Sequence, residues 1–191
     1  MTDQATRAVV IGASAGGVQA LLQILPLLPA SYPLAVLIVV HVPPDRDNAL
    51  VSLFQARCQI EVREAEDKEP MLPGVVYFAP SDYHLLAEND GTLSLSSDEL
   101  VNHSRPSIDV LLESSADAFG SELVGVILTG ANDDGARGLQ AVVEAGGVAI
   151  VENPAEAYAS AMPAASLRAA PSAQVMKVAA IASYVLSLGT S

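Results

Sequence analysis

Three short segments of this chain carry a serine, a histidine and two carboxylates that could act together in acyl transfer. Residues 12–16 match the pattern G-x-S-x-G around Ser14, whose flanking glycines are expected to allow a sharp strand-to-helix turn and to expose the hydroxyl. His41 follows a second apolar run, and Asp133 and Asp134 follow a third. In a Ser-His-Asp triad, the histidine accepts the hydroxyl proton and the carboxylate orients the imidazole. These residue types therefore predict a hydrolytic site with a serine nucleophile.

Each segment also has a simpler interpretation, which the residues alone leave open. A glycine-rich turn after a strand is also how dinucleotide-binding folds hold a phosphate, although His41 stands where such folds place a ribose-binding acid. Asp133 or Asp134 could simply cap the helix that follows. The joint pattern favours catalysis. The chain order Ser…His…Asp differs from the Ser…Asp…His order of α/β-hydrolases, so a routine esterase or lipase is not expected.

The remaining reactive residue types do not indicate metal or disulfide chemistry. Cys58 is the single cysteine, so it cannot form an internal disulfide, and we expect a packed side chain rather than a nucleophile. The three histidines and the cysteine lack the spacing of a metal site. We expect His84 and His103 to form local hydrogen bonds. The sequence therefore predicts no metal.

Composition indicates one α/β domain over residues 1–191. Hydrophobic residues make up 51% of the chain but aromatic residues only 4%, which is typical of a buried sheet packed with aliphatic side chains. The net charge of −13 disfavours nucleic acid and anionic lipid as partners. No apolar run approaches the roughly 20 residues that span a bilayer, and the first seven residues are too polar for a signal peptide. We therefore expect a cytoplasmic protein without membrane insertion.

The order of apolar runs and helical patterns predicts a doubly wound, mainly parallel sheet with one antiparallel hairpin. The predicted strands cover residues 7–12, 34–40, 59–63, 75–79, 123–128 and 148–152. The predicted helices cover residues 17–28, 48–57, 105–119, 135–145, 162–169 and 178–188. The predicted hairpin pairs residues 85–88 with 92–95. Because chemistry in such sheets sits beyond the carboxyl ends of the strands, Ser14, His41 and the segment 129–135 are expected at one edge.

With these motifs, the chain resembles the catalytic domain of the chemotaxis protein-glutamate methylesterases, the CheB family. The resemblance covers nearly the whole chain through motifs at residues 11–17, 41–43, 73–84, 105–111, 128–135 and 162–163. It implies a three-layer α/β/α fold and hydrolysis of γ-glutamyl methyl esters on the cytoplasmic helices of chemoreceptors, with release of methanol. Some members also deamidate receptor glutamines. The resemblance implies no cofactor.

The resemblance also assigns roles residue by residue. By motif match, Ser14 is the nucleophile, His41 the base and Asp134 the orienting carboxylate. Asp134 is preferred over Asp133 because it directly precedes the glycine of the family segment T-G-M-G-x-D-G. We expect Ser14 Oγ within hydrogen-bond reach of one ring nitrogen of His41, with Asp134 at the other.

Two departures from the family pattern bear on substrate choice and control. Ala131 and Asn132 replace the methionine and second glycine of that segment, which is expected to affect the pocket wall more than the chemistry. Ala15 and Ala131 are the candidate oxyanion-hole and pocket residues. Typical members carry an N-terminal receiver domain, whereas we expect a stand-alone catalytic domain here. The alternative function is a non-catalytic adaptor that keeps the fold and binds receptors or signalling partners.

Overall fold

Nine strands and six helices make up the described part of this computed structural model, which comprises residues 7–43 and 47–190, without the side chains of residues 47 and 48. The strands are β1 (Ala8–Ala13), β2 (Ala35–Val40), β3 (Glu61–Glu64), β4 (Val75–Phe78), β5 (His84–Ala87), β6 (Leu93–Ser96), β7 (Leu123–Ile127), β8 (Val148–Glu152) and β9 (Gln174–Met176). The helices are α1 (Gly17–Ile24), α2 (Asp47–Arg57), α3 (Ile108–Phe119), α4 (Ala136–Glu144), α5 (Ala161–Ala169) and α6 (Val178–Ser187).

Seven of the strands form one parallel sheet in the order β3-β4-β2-β1-β7-β8-β9, while β5 and β6 form a separate antiparallel hairpin. Alternation along β1 separates the two faces of the sheet. Val9 and Ile11 belong to a core shared with α1, α2 and α6. Val10 belongs to a core shared with α3, α4, α5 and the hairpin. The predicted three-layer α/β/α fold with a hairpin is confirmed.

Most predicted elements are present, with shifts at their ends. Helix α1 ends at Ile24 rather than residue 28, because Pro26 lacks an amide hydrogen and the chain tightens into a 3₁₀ turn over Leu25–Leu27. Helix α3 begins at Ile108, three residues later than predicted. The short edge strand β9 is not predicted by the sequence, because its three residues are mostly exposed and carry no apolar run.

The strand order explains how distant segments meet. Strand β1 lies between β2 and β7, and all three run in the same direction. Their carboxyl ends therefore bring Ser14, His41 and the segment 128–135 to one edge. In doubly wound sheets this edge, at the point where the strand order reverses, is where ligands bind. No helix among the described residues is long and apolar enough to cross a membrane.

Candidate active site

Ser14 lies in a tight turn between β1 and α1. Its backbone N–H donates to Thr129 O at 2.9 Å, and Gly17 N–H donates to Ser14 O at 2.8 Å. Gly16 has a φ of +81°, and a side chain there would place its Cβ 2.7 Å from Tyr158 Cβ. Glycine is therefore required at residue 16 by both backbone conformation and close packing.

Gly12 differs from the expectation for an elbow glycine. It lies inside β1 rather than in the turn, and a Cβ there would overlap Ile108 Cγ2. The absence of a side chain lets the start of α3 pack directly against β1. The expectation that Gly12 contributes to the turn is therefore wrong. Gly12 affects the site indirectly, because it allows α3 to pack against β1.

His41 follows the last residue of β2 and is held by the neighbouring strand. Its backbone N–H donates to Ala13 O at 3.0 Å. Nε2 lies 3.1 Å from Asp134 Oδ2, but its N–H is not aligned with that oxygen as a hydrogen bond requires. Nδ1 lies 3.5 Å from Asn132 Nδ2. The ring therefore presents Nδ1 as the nitrogen that does not face the carboxylate.

Asp134 is fully buried and accepts several hydrogen bonds at the start of α3. Ile108 N–H donates to Oδ2 at 2.7 Å, and Asp109 N–H donates to Oδ1 at 3.1 Å. Ser107 Oγ and Asn102 Nδ2 each donate to Oδ1 at 2.8 Å. The positive end of the helix dipole also favours an anion here. These donors fix the carboxylate in one orientation.

The same contacts keep Asp134 ionised. Burial by itself raises the pKa of Asp134, but the contact with His41 and the hydrogen bond from Ile108 N–H contribute to a net pKa below the ordinary value. Asp133, by contrast, is exposed, and its carbonyl accepts Ala136 N–H at 3.2 Å. Of the two neighbouring carboxylates, Asp134 is the one that contacts His41.

Ser14 and His41 line one cavity of about 610 Å³, which has an apolar wall that includes Val18, Leu50 and Leu53. The expected hydrogen bond between Ser14 Oγ and His41 is not formed, since neither ring nitrogen has Ser14 as a partner among the described residues. Catalytic hydrogen bonds are often long in the absence of substrate and tighten in the complex. The structure thus brings the three residues to one site with the His41–Asp134 pair already in contact.

The backbone N–H groups of the two candidate oxyanion-hole residues differ from that of Ser14. Within the described residues, the N–H groups of Ala15 and Ala131 donate no hydrogen bond, whereas Ser14 N–H is occupied by Thr129 O. Ala131 is exposed and does not line the cavity that contains Ser14 in the described part of the chain.

Thr129 and Glu152 support the Ser14 turn and were not identified by the sequence. Thr129 Oγ1 donates to Ala15 O at 2.9 Å and accepts Ala159 N–H at 2.8 Å. Glu152 Oε2 accepts Thr129 N–H at 2.7 Å, and burial raises the pKa of Glu152. The position of Glu152 at the end of β8 was a usable signal, because that strand end lies on the same edge of the sheet.

The other reactive side chains have local roles. His84 Nδ1 accepts Ser107 N–H at 3.1 Å, and Nε2 lies 2.9 Å from Glu99 O, so both ring nitrogens have partners on the segment between β6 and α3. Burial raises the pKa of the Cys58 thiol, which disfavours a nucleophilic thiolate. Among the described residues, no group of three or more His, Cys, Asp or Glu side chains is arranged to hold a metal ion.

Comparison with known proteins assigns this arrangement to a family. The sequence model of the family described as CheB methylesterase matches residues 9–185. The chain belongs to the CheB methylesterase family. A Leptospira interrogans protein that carries the provisional name protein-glutamate methylesterase/protein-glutamine glutaminase is 44% identical over 181 residues, which cover 95% of this chain and 94% of that protein.

Longer CheB relatives and a solved structure agree with this assignment. A Salmonella typhimurium protein-glutamate methylesterase/protein-glutamine glutaminase is 37% identical over 94% of this chain but only 52% of its own length. The chain thus spans about half the length of that relative. The crystal structure of the Thermotoga maritima CheB methylesterase catalytic domain superposes with a TM-score of 0.90 at 32% identity, covering 96% of this chain and 99% of that one. The resemblance to CheB enzymes inferred from the motifs is confirmed.

Proposed function

We propose that this protein hydrolyses γ-glutamyl methyl esters on the cytoplasmic helices of chemoreceptors and releases methanol. The observation that carries the proposal is the contact between the buried, ionised Asp134 and His41, because His41 lines the same cavity as Ser14. The names of the relatives support the substrate class, because they describe protein-glutamate methylesterases. We place the activity in the cytoplasm, where those receptor helices are.

The first step of the reaction is attack of Ser14 on the methyl ester. His41 Nδ1 takes the proton from Ser14 Oγ as this oxygen attacks the ester carbonyl carbon. Asp134 stabilises the imidazolium that forms. The N–H groups of Ala15 and Ala131 are the donors proposed for the oxyanion of the tetrahedral intermediate.

The remaining steps form the acyl-enzyme on Ser14 and then hydrolyse it. The imidazolium of His41 gives its proton to the methoxy oxygen, the C–O bond breaks, and methanol leaves. A water molecule then attacks the γ-glutamyl ester of Ser14, giving its proton to His41. Collapse of that second intermediate releases the glutamate carboxyl and reprotonates Ser14. No redox step or external group is required.

Deamidation of receptor glutamine is a second activity compatible with the same residues. The relatives are also named protein-glutamine glutaminases. Glutamine would form the same acyl-enzyme, with ammonia as the leaving group in place of methanol. Because an amine departs only after protonation, this activity depends more strongly on proton donation by His41.

The test is methanol release from purified receptor that carries glutamyl methyl esters, with unmethylated receptor as the matched substrate control. We expect the methylated receptor to release methanol in proportion to enzyme concentration and the unmethylated receptor to release none. Stable binding of methylated receptor without any methanol release would contradict the esterase proposal and favour the adaptor.

A further inference from the structure

One amide joins two buried carboxylates beside His41. Asn102 Nδ2 donates to Asp134 Oδ1 at 2.8 Å and to Asp109 Oδ2 at 2.6 Å. An amide nitrogen carries two hydrogens, so one is available for each carboxylate. Both carboxylates are at most 2% exposed, whereas Asn102 lies at the surface above them. The side chain of Asn102 thus closes the solvent side of an acidic pair.

The two carboxylates cap each other's helices and so are held close together. Asp134, just before α4, accepts N–H groups at the start of α3. Asp109, in the first turn of α3, accepts Gly135 N–H at 3.0 Å and Gly138 N–H at 2.6 Å at the start of α4. Burial, together with the charge of Asp134, raises the pKa of Asp109. Two buried like charges need donors between them if both are to remain ionised.

The backbone at Asn102 is strained in a way that serves this contact. Asn102 has a φ of +52° and His103 a φ of +62°, so two successive non-glycine residues are left-handed. Val101 and Ser104 close the turn through reciprocal backbone hydrogen bonds of 3.1 and 2.9 Å. Such conformations cost free energy and persist where the surrounding structure requires them. Here the turn directs the Asn102 amide at the carboxylates.

We propose that Asn102 is a positioning residue, whose amide holds Asp134 in its orientation against His41 and separates its charge from that of Asp109. The inference rests on the proposed function, since it assigns Asn102 a role in the activity of Asp134. Within the described part of the chain, the other titratable or charged groups that face this pair are His41 after β2 and Arg137 on α4. Arg137 is paired with Glu113 at 2.5 Å and does not replace the amide.

The main variant is Asn102→Asp, which keeps the size of the side chain and replaces the donor by a third carboxylate. Loss of a hydrogen bond to a charged group, with a like charge added, raises the pKa of Asp134. Asp134 is then ionised only at higher pH, and because its charge is coupled to His41, which must be neutral to accept the serine proton, proton uptake by this pair moves to higher pH. We expect the acid limb of the kcat profile for ester hydrolysis to move up by about one pH unit, with about a tenfold loss below it and little change in KM.

A second variant, Asn102→Gly, removes the amide while glycine accepts the left-handed backbone without strain. We expect an acid-limb shift in the same direction, but smaller because water can enter, with no loss of Tm. The matched control is Lys68→Gly, another exposed residue with a positive φ of 64°, outside the site. This control should leave the pH profile unchanged.

Profiles of both Asn102 variants that overlay the wild type would overturn the proposal. A uniform loss of kcat with a lowered Tm and an unmoved acid limb would also overturn it, since that is a purely structural effect. A wild-type protein that releases no methanol contradicts the proposed function instead. In that case, carboxyl ¹³C NMR titration of Asp134 still decides: its midpoint should be higher in Asn102→Asp than in the wild type, and an equal midpoint refutes the role of Asn102.

Discussion

The nitrogen of His41 that faces away from Asp134 lies 3.5 Å from the side-chain nitrogen of Asn132. Asn132 Oδ1 accepts Asp134 N–H at 3.0 Å, which fixes the amide with its nitrogen towards the ring. The family pattern has glycine at this position. The Asn132 amide therefore competes with Ser14 for the lone pair on His41 Nδ1, which must accept the serine proton.

Asn132→Gly tests this competition. A hydrogen bond this long contributes about 0.5–1 kcal/mol, so we expect kcat to rise roughly two- to fivefold, with KM unchanged. Asn132→Asp is the matched variant, because it keeps the oxygen that accepts Asp134 N–H and places a carboxylate beside the ring. A fall of kcat by more than tenfold in Asn132→Gly would show instead that the amide positions His41.

Packing between β1 and α3 connects strand geometry to the catalytic carboxylate. A Cβ at Gly12 would overlap Ile108 Cγ2, and Ile108 N–H donates to Asp134 Oδ2. Protein interiors have little free volume, so a single methyl group at this contact displaces the helix start. The position of Asp134 therefore depends on a glycine that is distant in sequence and makes no contact with substrate.

Gly12→Ala should lower both stability and kcat. Overpacking costs about 1–3 kcal/mol, which corresponds to a decrease in Tm of about 2–12 °C for a chain of this size. Thermal denaturation and kcat of Gly12→Ala, Ile108→Ala and the double variant measure the coupling. We expect the Tm and kcat of the double variant to be higher than the summed effects of the two single variants would give. Additive effects would refute direct contact as the cause.

The edge of the sheet was predictable from the sequence because each triad residue lies in a segment that follows an apolar run. Ser14 and His41 come immediately after buried strands, and Asp134 comes seven residues after the end of a third. The contact of Asn102 with Asp134 was not predictable in this way. Asn102 contacts Asp134 across 32 residues of sequence. It does so from a left-handed turn that the sequence does not announce, because residues 101–104 contain no glycine.

The boundaries of elements were less predictable where tertiary packing decides them. The N-terminal end of α3 is set by Asp134, which accepts its first N–H groups, rather than by a capping side chain of its own. Strand β9 forms because β8 offers a free edge, not because residues 174–176 have a strand pattern. In both cases the deciding partner is distant in the chain.

The identity of Ser14 as the nucleophile is tested most directly by initial rates of methanol release from methylated receptor. Ser14→Ala is compared at equal concentration with the wild type and with Ser183→Ala, which replaces an exposed serine on α6 whose hydroxyl donates to Ala179 O in the same helix. Loss of the nucleophile should reduce the rate roughly 10³-fold or more without lowering Tm, while Ser183→Ala matches the wild type. Methanol release by Ser14→Ala at the wild-type rate would contradict the assignment of Ser14.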